Sequence, residues 1–143
     1  MHHINRSAIV PYSTSKMFSL VDDISSYPDF LPWCQGAEEI KRDLNQVVAE
    51  LNIGIQTFNI SFTTVNTLKP FESIRMELKN GPFKTLEGQW NFNEIDDQGC
   101  EVSLNMRFEF SSPSQDLILK KSFEGIFNQL LDAFINQANN RIK

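Results

Sequence analysis

The sequence predicts an α+β fold in which a strongly curved antiparallel sheet of about seven strands wraps around one long C-terminal helix, in the order βααββββββα. Three observations predict it. Between residues 35 and 111 apolar and polar side chains alternate with a period of two, the mark of strands buried on one face. From Ser112 onward the period changes to that of a helix, with Leu119, Phe123, Ile126, Phe127, Leu130, Phe134 and Ala138 on one side and Lys121, Glu124, Asn128, Asp132, Asn136 and Asn139 on the other. Finally, no second helix of comparable length exists to cover that apolar side, so the inner face of the sheet must do it.

Each element has its own signal. Residues 3–10 form a short first strand, closed by Pro11-Tyr12-Ser13. Ser13 is placed to cap a brief helix whose Met17, Phe18, Leu20 and Val21 fall at helical spacing. Ile24 to Phe30 makes a second small helix or turn, followed by Tyr27-Pro28-Asp29-Phe30-Leu31-Pro32-Trp33-Cys34, where two prolines break the chain while it presents aromatic rings. Ala37 to Lys41 forms a strand and turns at Asp43-Leu44-Asn45. Val47, Ala49, Leu51, Ile53 and Ile55 alternate in the next strand. Phe58, Ile60 and Phe62 do so in a fourth, and Ile74, Met76 and Leu78 in a fifth after Pro70. Gly81-Pro82 breaks the run. Leu86, Gly88, Trp90 and Phe92 then alternate up to the turn Asp96-Asp97-Gln98-Gly99, and Val102, Leu104, Met106, Phe108 and Phe110 complete the sheet. Ser112-Pro113-Ser114-Gln115 supplies the start of the terminal helix, with a capping hydroxyl and a proline where the missing N–H costs nothing.

At 143 residues, with no repeat or linker, the chain reads as a single domain over 1–143. A net charge of −5 and no basic cluster longer than two residues argue against a dedicated nucleic-acid surface. No apolar window spans a bilayer and the N-terminus lacks the apolar core of a signal peptide, so the expected location is the cytoplasm. Two cysteines make neither a disulfide framework nor a metal site. No metal and no cofactor is expected.

Catalytic groups are hard to find. His2 and His3 read as a frayed terminus without a third ligand. Asp22-Asp23 and Asp96-Asp97 sit in turns, where Asp serves local hydrogen bonding. Cys34 has no internal His to act as its base, and the inward strand positions carry almost no polar groups, which leaves a hydrolase or cyclase nothing to work with. Twelve Phe, by contrast, exceed what a sealed helix-on-sheet core requires. The excess predicts an apolar cavity between sheet and helix for a ring with a greasy tail or an acyl chain. Its expected walls are Phe58, Phe62, Met76, Trp90, Phe92, Phe123, Phe127, Leu130 and Phe134. Tyr27, Phe30 and Trp33 are expected at an entrance able to touch a membrane surface. Gly125, inside the helix on its polar side, costs ~0.8–1 kcal/mol relative to Ala; it reads either as a tolerated cost or as a flexible point that lets the helix move to admit a ligand.

Three stretches carry a further signal: Tyr27-Pro28-x-Phe30-Leu31-Pro32-Trp33-Cys34, Gly81-Pro82-Phe83-Lys84-x-Leu86-x-Gly88-x-Trp90-x-Phe92, and Gln129-Leu130-Leu131-Asp132-Ala133-Phe134. Together they resemble the coenzyme-Q-binding, START-like family that bacteria share with mitochondria and that includes a bacterial ribosome-association toxin. The resemblance implies the helix-grip (SRPBCC) fold, a cavity for ubiquinone or a related polyprenyl lipid in support of respiration, and no catalytic residues. For bacterial members it also implies binding to the large ribosomal subunit, with inhibition of subunit joining and translation. Val65 before Asn66 and Gln137 before Ala138 depart from a pattern that commonly carries Arg at both places. Their absence weakens a ribosomal-RNA contact more than a lipid site, although Lys41, Arg42, Lys69 and Lys84 could still form a local basic patch.

Overall fold

The computed structural model describes residues 1–55, 57–96 and 99–141. Seven strands, β1 (His2–Val10), β2 (Cys34–Arg42), β3 (Gln46–Ile55), β4 (Phe58–Lys69), β5 (Ser73–Asn80), β6 (Phe83–Asp96) and β7 (Gly99–Phe110), form one antiparallel sheet in the order β1-β7-β6-β5-β4-β3-β2. Between β1 and β2 the chain makes α1 (Thr14–Asp22), a single 3-10 turn (Ile24–Ser26) and α2 (Tyr27–Phe30); α3 (Pro113–Arg141) ends it. This is the helix-grip arrangement. Irregularities between Cys34/Gly36, Glu39/Lys41, Thr63/Thr64, Phe83/Thr85 and Glu94/Asp96 interrupt the ladder at several strands. Such bulges bend and twist the strands that carry them, which lets the sheet curl around α3.

The capping residues do as expected. Ser13 Oγ accepts the Lys16 N–H at 3.2 Å, and Ser112 Oγ accepts the Gln115 N–H at 3.4 Å. Pro28 sits in the first turn of α2, where it interrupts no helical hydrogen bond. The Asp43-Leu44-Asn45 turn is closed by Asp43 N–H to Gln46 O at 2.8 Å. The expected turn at Asp96-Asp97-Gln98-Gly99 lies partly outside the described residues, as does the carboxylate pair within it.

One reading is corrected. His2 is not a frayed end: it opens β1, its ring lies 4.9 Å from that of Phe108, and its Nε2 meets both carboxylate oxygens of Asp116 at 3.0 and 2.9 Å. The pairing of β1 with β7 carries it there, because His2 stands opposite Phe108 in the register.

The placement of α3 on the sheet creates the site. The helix packs nearest to β1 and β7, and Arg6 on β1 donates to the Asn128 carbonyl and to Asp132 at 3.3 Å, tying helix to strand. Toward the helix N-terminus the gap is filled by rings: Phe83 stacks on Phe110 at 4.6 Å, and Phe123 meets Phe110 edge-on at 5.1 Å. Aromatic pairs in these geometries add to the apolar area they bury. Toward the C-terminal half of α3, the 3-10 turn and α2 pack on β2, and space remains between this segment, the helix and the inner face of the sheet.

Candidate functional site

That space is a cavity of about 60 Å³. The segment after α1 contributes Ile24, Tyr27 and Trp33; β3 contributes Ala49, Leu51 and Ile53; β4 contributes Phe62, Thr64 and Asn66. Met76 on β5, Leu86, Gly88 and Trp90 on β6, and Met106 on β7 form the floor, with Phe127, Leu130 and Phe134 of α3 above it. Alternation along each strand puts these residues on the concave face, and the helical period does the same for the three on α3.

Of the residues expected at the site, Tyr27, Trp33, Phe62, Met76, Trp90, Phe127, Leu130 and Phe134 come together around the cavity. The other four do not border it. Phe123 belongs to the filled aromatic end, where it packs on Phe83, Phe108, Phe110 and Phe127. Phe92 is buried between Phe18, at 5.6 Å, and Trp90, at 6.4 Å. Phe30 sits behind the wall, edge-on to Phe134 at 5.2 Å. Phe58 is half-buried at the start of β4.

Tyr27 is turned inward rather than toward a membrane surface: its hydroxyl donates to the Val21 carbonyl and its ring meets Phe134 edge-on at 5.4 Å. Burial pushes its phenol far above the ordinary range, with the nearby charges of Asp22, Cys34 and Asp23 acting in the same direction. It is the one ionisable side chain among those lining the cavity. Cys34 lies buried beside it; desolvation pushes its thiol up, against the contact from Sγ to the Gly36 carbonyl at 3.4 Å. His2 and His3 are on β1, at the opposite edge of the sheet from β2, so no imidazole reaches Cys34. The Asp22-Asp23 pair is structural. Asp22 binds Arg42 at 3.0 Å, while Asp23 accepts the Ser26 hydroxyl at 2.7 Å and lies 3.7 Å from Arg141. Among the described residues, no cluster of His, Cys, Asp and Glu is arranged to hold a metal, and no helix is long and apolar enough to cross a membrane.

The expectation of an almost wholly apolar interior needs correction at one place. Strand β4 does not stop at Thr63 but runs to Lys69, and the inner alternation continues through Thr64, Asn66 and Leu68. Thr64 and Asn66 are therefore buried, 6% and 7% exposed, and both line the cavity. Extending the period of two past Phe62 would have found them. Gly88 and Met106, also unassigned from the sequence, sit side by side on the floor, where the register sets Met76, Gly88 and Met106 in one row across three strands.

The four basic residues that could form a local patch do not all lie together. Arg42 is committed to Asp22 and to Glu39, at 2.6 Å. Through Ser73, Lys69 is level with Asn91 on β6, and Lys84 lies near the other end of that strand.

Comparison with known proteins agrees with this architecture. The family described as polyketide cyclase / dehydrase and lipid transport matches residues 10–135. The chain belongs to that family. Within it, the chain is 39% identical over 138 residues to the ribosome association toxin RatA of Vibrio cholerae, covering 96% of each protein. It is 28% identical over 140 residues to the mitochondrial coenzyme Q-binding protein COQ10 of Drosophila melanogaster, covering 95% of this chain and 58% of that one. The ZhuI aromatase/cyclase of Streptomyces sp. R1128 shares the fold, with a TM-score of 0.87 at 16% identity, over 99% of this chain and 96% of that one. At that identity the likeness concerns fold alone. The resemblance read from the three sequence motifs is thus borne out at the level of family.

Proposed function

We propose that this member of the polyketide cyclase / dehydrase and lipid transport family binds a polyprenyl quinone, ubiquinone in the first instance, in the cavity between β3–β7 and α3, and does so without transforming it. The observation that carries this reading is the character of the cavity wall. Apart from Thr64 and Asn66 it is lined by aromatic and aliphatic side chains, and its one ionisable group, Tyr27, has its proton engaged by the Val21 carbonyl and its ionisation opposed by burial. A general acid or base needs a group poised near the working pH, and this wall supplies none. A flat ring with an isoprenoid tail suits what remains, since shape and apolar area would hold it. The 28% identity to a coenzyme Q-binding protein supports the same class of ligand.

Mass spectrometry of organic extracts from native protein tests the proposal. A prenylated quinone should be recovered, and a short-chain quinone should bind on titration. Recovery of no lipid in repeated preparations, together with no titration, overturns it.

A second reading, association with the large ribosomal subunit, draws on the 39% identity to a ribosome association toxin. It concerns the outer surface and is compatible with the first. Its test is sedimentation of lysate containing the overproduced protein. Co-migration with large subunits at low salt supports the reading, and absence from that fraction rejects it.

A further inference from the structure

The polar spot in the cavity wall has a direction. Asn66 is 7% exposed and borders the cavity, and its Oδ1 accepts the Thr64 hydroxyl at 2.9 Å. The Nδ2 amide is left without a protein partner among the described residues. That amide is not sealed in protein: the side-chain atom buried without a partner among the described residues is Asn52 Oδ1, whereas the Asn66 amide stays open to an acceptor brought in with a ligand. Of the other lining residues, Thr64 already gives its proton to Asn66 and Tyr27 gives its proton to Val21, Trp33 and Trp90 carry indole N–H groups that can only donate, and the rest are apolar. The lining residues therefore offer donors, the Asn66 amide and the two indoles, and no free carboxylate or amide oxygen.

We propose that the Asn66 amide anchors a carbonyl oxygen on the ligand's ring, so that the site selects the oxidised quinone over its hydroquinone. The proposal rests on the quinone reading above and adds to it which redox form is held. A quinone brings only acceptors. One meets Nδ2 and the other lies in an apolar surround, a tolerable state for a carbonyl. A hydroquinone brings two O–H donors on opposite sides of the ring. The Asn66 oxygen is occupied by Thr64, and the lining residues hold no free carboxylate or amide oxygen to take the far hydroxyl's proton. An O–H stranded there loses its bond to water and gains nothing.

The protein itself provides the readout. Its two tryptophans, Trp33 and Trp90, both line the cavity, so a benzoquinone with a short prenyl tail should quench their fluorescence on binding. The wild-type protein is titrated with the quinone and, anaerobically, with its hydroquinone by competition; a prenyl hydrocarbon lacking a head group serves as a second competitor. The expected result is a preference for the quinone of about tenfold, the equivalent of one buried hydrogen bond. Asn66→Leu should weaken the quinone by a similar factor and leave the hydrocarbon within about twofold. Thr64→Val frees Asn66 Oδ1 to turn toward the ligand as an acceptor and should narrow the preference for quinone; it provides the test if Asn66→Leu does not fold. Equal affinity of the wild-type protein for both redox forms overturns the proposal. So does unchanged quinone affinity in folded Asn66→Leu, or an unchanged preference in Thr64→Val. Absence of any quinone binding by the wild-type protein overturns the quinone reading and the anchor with it.

Discussion

The sulfur of Met106 occupies the space that a side chain at Gly88 would need, and the terminal methyl of Met76 crowds the same spot from the other side. Gly88 is thus a notch in the sheet's inner face into which two neighbouring strands tip their most adaptable side chains. Methionine is unbranched and repacks easily. The space of about 60 Å³ is far smaller than the ~300–1,000 Å³ of pockets for drug-sized ligands, so a ring enters only by displacing something. Swinging the two thioethers off Gly88 would make such room.

Gly88→Leu should close the notch permanently. The added side chain meets the flexible ends of Met76 and Met106 rather than backbone, so the fold should survive with a loss of about 1–3 kcal/mol from overpacking. Quinone quenching of Trp33 and Trp90 should disappear. Denaturant unfolding and the fluorescence titration check the two effects separately, and retained binding would show that the ligand does not use the notch.

Phe134 holds the roof in place. Its ring meets Tyr27, Phe30 and Trp90 edge-on at 5.4, 5.2 and 5.3 Å and is 1% exposed. Phe134→Ala should lower stability by about 3–5 kcal/mol through lost burial and an enlarged void, measured by denaturant unfolding. A loss below about 1 kcal/mol would mean that the void collapses.

Gly125 has open space where a Cβ would project. Gly125→Ala should therefore raise stability by about 0.8–1 kcal/mol, read from the shift in denaturant midpoint. If the helix must flex there to admit a ligand, stopped-flow quenching should slow in the same variant while equilibrium affinity holds. Unchanged kinetics would reduce Gly125 to a tolerated weakness.

Asp116 joins three elements, accepting from His2 at the start of β1 and from the Phe110 N–H at 3.1 Å while standing in the first turn of α3. Partial burial pushes its carboxyl up, but the hydrogen bonds from His2 and Phe110 and the positive charges nearby outweigh this and hold it below its ordinary value of 3.8. A depressed carboxyl favours the folded state above the unfolded value, and that contribution is lost as pH falls through the folded value. Asp116→Asn removes the linkage, so its stability should fall less steeply than that of the wild-type protein as pH drops below the ordinary carboxyl value of 3.8. Parallel acid-unfolding curves followed by circular dichroism would contradict it.

Most of the fold was legible because strands with one wet face declare themselves by alternation, and β3, β6 and β7 alternate cleanly. Legibility failed where the alternation carried polar residues inward. Thr64 and Asn66 fall on the inner alternation of Phe58, Ile60 and Phe62, yet their polarity reads as an outer face; the register of β4 against β3 and β5 keeps them toward the cavity. It failed as well in apportioning the phenylalanines. Phe123 and Phe127 are one helical turn apart on the same stripe, yet Phe123 packs into the filled aromatic end while Phe127 borders the cavity. Spacing cannot divide a continuous stripe, because the division depends on where the sheet bends away from the helix.

By itself the sequence determined that a seven-stranded sheet covers a long amphipathic helix, that the interior is rich in aromatic rings and that it is poor in titratable groups, since burial pattern and residue type are local properties. Only the tertiary structure decided which rings face a void, that His2 is anchored rather than frayed, and that a lone amide looks into the cavity across from the helix. Those outcomes depend on strand register, bulges and the offset of α3 toward β1 and β7, all set by pairings between residues far apart in the chain.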